Sequence, residues 1–313
     1  MTDPFPSLPG SVTICEVGPR DGLQNEPVAI STDDKVRFCD LLSDAGVPTL
    51  EATSFVSPKA VPRMADAADV FARIRKDPDR VYLVLVPNER GLERALDAGV
   101  RAIAVFTAAS EAFARANIRM SVDESLAVFE RVVRRAKEAG MWVRAAVSVA
   151  FGCPFQGAVP PADVARIGER LLALGIDELS VADTIGVATP NQVVDVVNAL
   201  APLVPPERLA LHFHDTRGTA IANTLAALAM GVRSFDTSAG GLGGCPFAPG
   251  ATGNCATEDL VYALHGMGIA TGIDLAKLRA ASRFIASRLG RPLASRAYTA
   301  LEAADARAVA ATA

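Results

Sequence analysis

Short β-rich runs alternate with amphipathic stretches of helical period almost to the end of the chain. The first apolar run, Val12 to Val17, precedes a segment over 32–45 that puts Phe38, Leu41, Leu42 and Ala45 on one face. Apolar residues recurring at three and four positions mark a helix; Ser31 or Thr32 supplies its N-cap and Gly46 ends it. Further strands are predicted at Thr49 to Ser54, Val81 to Val86, Ala102 to Thr107, Trp142 to Val149, Glu178 to Ala182, Leu209 to His214 and Ser234 to Ser238. Between them, 124–139 sets Leu126, Phe129 and Val133 at helical spacing, and a helix before the sixth strand ends near Gly175. The helix after the seventh strand carries Ile221, Leu225 and Leu228 on one face, and residues 275–313 read as one or two appended helices.

Eight β–α units in unbroken succession predict a parallel sheet with helical crossovers. Alternation alone fits a doubly wound open sheet as well as a closed ring, and the polar residues separate the two. Arg20 and Asp21 follow strand one, Glu51 lies in strand two, Asp183 follows strand six, and His212 and His214 lie in strand seven. An open sheet gathers its site at one switch point. A barrel collects side chains from the C-terminal ends of many strands. The expectation is therefore an α/β TIM (β/α)8 barrel, residues 1–313 forming one domain with 275–313 as extra C-terminal helices.

Composition narrows the function classes. Of 313 residues, 50% are hydrophobic and 21% charged, enough for a large core. A net charge of −4 argues against a nucleic-acid surface. No apolar run reaches the roughly 18 residues of a membrane span. The first residues, Met-Thr-Asp-Pro-Phe-Pro, lack the basic and apolar regions of a signal peptide. Five scattered cysteines do not read as a disulfide framework. These features point to a cytoplasmic protein with neither membrane nor nucleic acid as partner.

His212-Phe213-His214 is the sharpest local signal. On a strand, residues i and i+2 share a side, so both imidazoles can face the barrel interior. Such a pair suits a divalent cation, whose shell carboxylates and amide oxygens complete; a buried hydrogen-bonded histidine pair is the plainer alternative. Arg20-Asp21 sits between Gly18-Pro19 and Gly22, glycines that allow a tight turn aiming both side chains inward. Asp21 could ligate a cation and Arg20 hold an oxyanion, or the two could form a surface ion pair. Glu51, in an apolar strand, needs a partner, and Arg20 is the natural one, whether for chemistry or for structure alone. His265, on a predicted helix surface, has no assigned role.

The longest irregular segment, Ala239 to Asn254, is rich in Gly and Pro, as lids and binding loops are. Within it, Cys245 follows Gly240-Gly241-Leu242-Gly243-Gly244, and a thiol there can deliver a proton to a basic carbon. A phosphate cradle is the alternative, but the run lacks the Lys and the strand–loop–helix setting of a P-loop. Asn254 closes the loop with an oxygen able to complete a cation's shell. Cys15 and Cys39 read as buried.

Taken together, Glu16–Glu26, Glu51–Lys59, Ala182–Gly186, His212–Asp215, Ala239–Phe247 and Gly253-Asn254 resemble the 3-hydroxy-3-methylglutaryl-CoA lyase family, within the metallolyase group of TIM barrels. The resemblance runs from about residue 12 to 268. It implies Mg²⁺ or Mn²⁺ on Asp21, His212, His214 and Asn254, with Cys245, Arg20, Asp21 and Glu51 in catalysis and Arg20, Gln24 and Asp183 against the substrate. It also implies an acyl-CoA substrate, cleavage to acetyl-CoA and acetoacetate as in leucine breakdown, and a homo-oligomer. Phe213 departs from the vertebrate members, which carry Cys there; the position should point away from the cation. Three other functions compete: a related lyase acting on citramalyl-CoA or a longer branched thioester, a condensing synthase such as isopropylmalate synthase, and a catalytically silent binding barrel. The synthases lack the Gly-Gly-Cys-Pro loop and carry a C-terminal region for which this chain has no room. For CoA contacts, Asn117 and the basic residues near it are candidates.

Overall fold

The computed structural model describes residues 8–244 and 253–312; the Cys245 assignment lies outside the described residues. Eight parallel strands close into a ring in sequence order, with β1 (Thr13–Glu16) hydrogen-bonded to β8 (Ser234–Thr237). Between these lie β2 (Thr49–Ser54), β3 (Val81–Leu85), β4 (Ala102–Ala108), β5 (Trp142–Ser148), β6 (Glu178–Asp183) and β7 (Leu209–Phe213). The crossover helices are α1 (Thr32–Asp44), α2 (Ala67–Arg73), α3 (Glu89–Asp97), α4 (Glu111–Ile118), α5 (Val122–Glu138), α6 (Pro161–Ala173), α7 (Pro190–Leu200) and α8 (Ala220–Ala229). After β8 come α9 (Thr257–Gly266), α10 (Leu275–Leu289) and α11 (Arg296–Thr312). The fold is the expected TIM barrel. None of its described helices is long and apolar enough to cross a membrane.

Strand alternation divides the buried residues into two sets. Ile14, Val84, Ile103, Val105, Val143, Val147, Leu179, Val181, Leu211, Phe213 and Phe235 face the helical ring and form one continuous core with it. Their neighbours face the lumen. On β1, β3 and β4 these are Cys15, Leu83, Leu85, Ala102 and Ala104, a small apolar cluster of its own. Arg144, Glu178, His212 and Asp236 gather on β5 to β8, the charged side of the lumen, while Glu51 of β2 stands between the apolar strands β1 and β3. A charged lumen is costly unless every group is paired.

Local signals set the helix ends. Ser31 Oγ accepts the Asp34 amide at the start of α1, and Ser121 with Glu124 forms a reciprocal capping box on α5. On α1 the buried residues include Phe38, Cys39 and Leu42, whereas Leu41 is only partly buried. On α8 the expected face is displaced: Ala220, Asn223, Thr224, Ala227 and Leu228 are buried, and Ile221 and Leu225 pack at its edge. The reason is that Asn223 donates to the Ala188 carbonyl and Thr224 to that of Ala220, so polar side chains satisfied by backbone occupy the inner stripe. The α10 helix packs along α1, and Arg288 pairs with Asp34.

Candidate active site

The turn after β1 is a single π-helical turn, Gly18–Gly22. The expected tight turn is there, but its glycines serve it through close packing, at negative φ, and not through a conformation reserved to glycine. A Cβ on Gly18 would lie 2.6 Å from Glu16 Oε1, and one on Gly22 would lie 2.9 Å from Leu242 Cβ. The turn aims Arg20 and Asp21 over the lumen. Arg20 Nε donates to Glu51 Oε2 at 2.7 Å, and its Nη1 donates to Asp21 Oδ1 at 2.8 Å. The expected Arg20–Glu51 pairing is present.

His212 and His214 share the lumen side, their ring centroids 5.1 Å apart, while Phe213 faces outward, 2% exposed. One ligand atom each from Asp21, His212 and His214 lies within 4.8 Å of the others, a group able to hold a metal ion. Asn254 is brought beside them by a β-bridge to His214, flanked by Cys255 N–H donating to the Phe213 carbonyl and Asp215 N–H to the Gly253 carbonyl. That crossing admits no side chain at residue 253: a Cβ there would stand 2.4 Å from the Gly243 carbonyl oxygen. Asn254 Nδ2 donates to Asp21 Oδ2 at 3.0 Å and to the Leu242 carbonyl at 2.9 Å.

Two buried atoms in this cluster have no hydrogen-bond partner, Asn254 Oδ1 and His214 Nδ1. Buried acceptors are rarely left unpaired, and each costs roughly 1–3 kcal/mol. A cation ligated by oxygen and imidazole nitrogen satisfies such atoms, so the donor set fits a divalent ion. Protonation states agree. Burial would raise the Asp21 carboxyl, but Arg20 and the two histidines hold it down at about 2, ionised. Burial, then His212, pushes His214 down to about 3, leaving it neutral. Burial raises Glu51 despite Arg20, so of the two carboxylates it is the more basic.

The family model described as HMGL-like matches residues 11–285. The chain belongs to the HMGL-like family. A hydroxymethylglutaryl-CoA lyase of Bacillus subtilis is 51% identical over 288 residues, 92% of this chain and 96% of that one. A crystal structure of hydroxymethylglutaryl-CoA lyase from Pseudomonas aeruginosa superposes with a TM-score of 0.93 at 49% identity, covering 95% of this chain and 99% of that one. An Acinetobacter baumannii HMG-CoA lyase, solved with coenzyme A and 3-methylmalate, matches at 42% identity and a TM-score of 0.88 over 91% of this chain and 93% of that one.

Other residues of this HMGL-like chain divide by what they touch. Gln24 is half-buried, and its Oε1 has no partner. Asp183 is 1% exposed and both its oxygens accept backbone amides, from Val187 and Ala188 at 2.9 Å each, so its carboxylate shapes the loop after β6. Asp215 accepts the Ala220 amide and the Arg296 guanidinium. His265 lies on the exposed side of α9, its Nε2 2.9 Å from Thr271 Oγ1. Asn117 is exposed on α4. Cys15 and Cys39 are buried as expected, and so are Cys153 and Cys255.

Sequence reasoning missed four buried charges. Asp236 accepts from His212 Nδ1 at 3.2 Å and from Arg144 Nη2 at 2.6 Å. Glu16 accepts the Gly18 and Ala239 amides and the Thr257 hydroxyl; Glu258 accepts the Gly240 amide and the Ser282 hydroxyl. Burial pushes both of these glutamates up to about 7. They grip consecutive amides where the Gly-rich loop leaves β8. The signal was available for three of them: Glu16, Arg144 and Asp236 are each the one charged residue of a short strand, as Glu51 is, whereas Glu258 sits beside Asp259 in the acidic first turn of α9.

Proposed function

We propose that this chain cleaves 3-hydroxy-3-methylglutaryl-CoA to acetyl-CoA and acetoacetate at the C-terminal mouth of its barrel, with Mg²⁺ or Mn²⁺ held by Asp21, His212, His214 and Asn254. The observation that carries the reading is the convergence of Asp21 from the first strand's turn with both imidazoles and Asn254 from the last third of the chain. Near-full-length identity of about half to hydroxymethylglutaryl-CoA lyases supports the substrate.

A divalent cation bound there supplies a Lewis acid that lowers the pKa of a substrate hydroxyl. The remaining work belongs to the chain. Arg20, charged and fixed by Glu51 and Asp21, offers its guanidinium to the thioester oxygen as negative charge develops there. Asp21, at about 2, is a poor base and serves as a ligand; Glu51 is the better acceptor for the C3 hydroxyl proton. Gln24 Oε1 is free to orient the substrate. Asp183 acts on it through the loop that its carboxylate shapes. Cys245 delivers a proton to the enolate carbon. The burial of Cys15, Cys39, Cys153 and Cys255 without disulfides supports a reducing, cytoplasmic setting, and we infer a role in leucine breakdown and a homo-oligomer.

The test is a panel of thioesters: 3-hydroxy-3-methylglutaryl-CoA, citramalyl-CoA and a longer branched analogue, each assayed for acetyl-CoA release. The first should turn over fastest, EDTA should abolish the activity, and Mn²⁺ should restore it. Preference for citramalyl-CoA would reassign the substrate. EDTA-resistant cleavage would remove the cation from the reading.

A further inference from the structure

We propose that Asp236, pinned by Arg144, sets the orientation and tautomer of His212 and so presents its Nε2 to the cation, a positioning role that rests on the reading of Asp21, His212 and His214 as a cation site. His212 and Asp236 are in-register partners on β7 and β8, both on the lumen side. Asp236 Oδ2 lies 3.2 Å from His212 Nδ1, while its Oδ1 accepts from Arg144 Nη2 at 2.6 Å. Arg144 reaches Asp236 from β5 and is held at its other end by Glu178 of β6, 3.0 Å from its Nε. The chain Glu178–Arg144–Asp236–His212 thus crosses the lumen directly beneath the site, its members 4–15% exposed along their side chains.

Charge balance argues against Asp236 being present only to neutralise Arg144. Glu178 already supplies one carboxylate to that guanidinium. The second carboxylate divides itself, one oxygen to Arg144 and one to the imidazole. Asp236 Oδ1 is bonded to the guanidinium of Arg144, and a carboxylate paired with that cation presents its other oxygen to the imidazole as an acceptor. An ionised carboxylate only accepts. Nδ1 of His212 must therefore carry the proton, which leaves the lone pair on Nε2. Metal-binding histidines are commonly fixed in this way, and losing the partner costs roughly 10–100-fold in metal affinity.

The geometry dictates what Asp236→Asn does. Arg144 has donors only, so the amide must turn its oxygen to Arg144 and its NH₂ to His212. That NH₂ donates to Nδ1, which moves the imidazole proton to Nε2 and blocks the lone pair a cation needs. Two measurements test this. In metal-free protein carrying ¹⁵N-histidine at alkaline pH, long-range ¹H–¹⁵N spectra report the tautomer of each of the three imidazoles. Wild-type His212 should be the Nδ1–H form and Asp236→Asn the Nε2–H form. Mn²⁺ titration should show affinity lowered about 10–100-fold in Asp236→Asn, with the melting temperature of the metal-free chain within a few degrees of wild type. An Nε2–H tautomer in wild type overturns the proposal, as does a folded Asp236→Asn protein that binds Mn²⁺ like wild type. Should the variant not fold, the wild-type tautomer decides alone. A wild-type chain that takes up no Mn²⁺ while His212 keeps its Nδ1–H form overturns the cation reading, and the presentation of Nε2 with it.

Discussion

Arg20→Met should lower kcat by about 10²–10³-fold, because the proposed reaction relies on its guanidinium against the developing enolate oxygen. The loss should fall on kcat more than on KM, since the interaction strengthens as charge builds in the transition state. The same change strands Glu51, which is 2% exposed and has Arg20 as its counter-charge at 2.7 Å. Breaking a buried pair from one side costs roughly 3–5 kcal/mol unless the orphan takes up a proton. The double variant Arg20→Met/Glu51→Gln, read against Glu51→Gln alone, separates the two effects, because the single change already removes the proton acceptor. The double variant's melting temperature should recover toward wild type while its turnover falls well below that of Glu51→Gln. If the double variant turns over as fast as Glu51→Gln, Arg20 is structural and has no part in the chemistry.

Cys245→Ser should cut turnover by about 10²–10⁴-fold and leave cation binding unchanged. A thiol near pKa 8.5 can donate a proton to an enolate at neutral pH, and a serine hydroxyl is a far weaker acid. In sequence the residue follows the glycine run whose root is held by Glu16 and Glu258, and it is not among the proposed cation ligands. Steady-state turnover alongside Mn²⁺ titration of the same preparation checks both halves. Wild-type turnover in this variant excludes the thiol as the proton donor.

How much of this was legible depends on whether a signal is local. The barrel could be read because eight strands alternate with helices and because polar residues stand at the ends of strands one, two, six and seven; closure follows from that convergence. His212 and His214 share a side by strand period alone, and Glu51 announces its need of a partner by lying in an apolar strand. Arg144 and Asp236 make the same announcement, in Trp142–Ser148 and Ser234–Thr237. They were passed over because neither belongs to a recognisable motif. Asn254 could be read as a possible ligand from its amide oxygen and again from the resemblance, but not its placement, which depends on a bridge to His214. The inner face of α8 was misjudged because Asn223 and Thr224 outcompete Ile221 for the core by bonding to backbone that no sequence pattern reveals. Glycine at 18 and 22 was read as conformational freedom when the requirement is contact with Glu16 and Leu242.

The central claim is a single cation shared by Asp21, His212, His214 and Asn254. Diffraction from crystals soaked in Mn²⁺, collected for anomalous scattering, tests it most directly. The account predicts one strong peak per chain, bonded to an Asp21 oxygen, His212 Nε2, a His214 ring nitrogen and Asn254 Oδ1. A fully soaked crystal with no peak among those four side chains, or with its only ordered ion elsewhere, contradicts it.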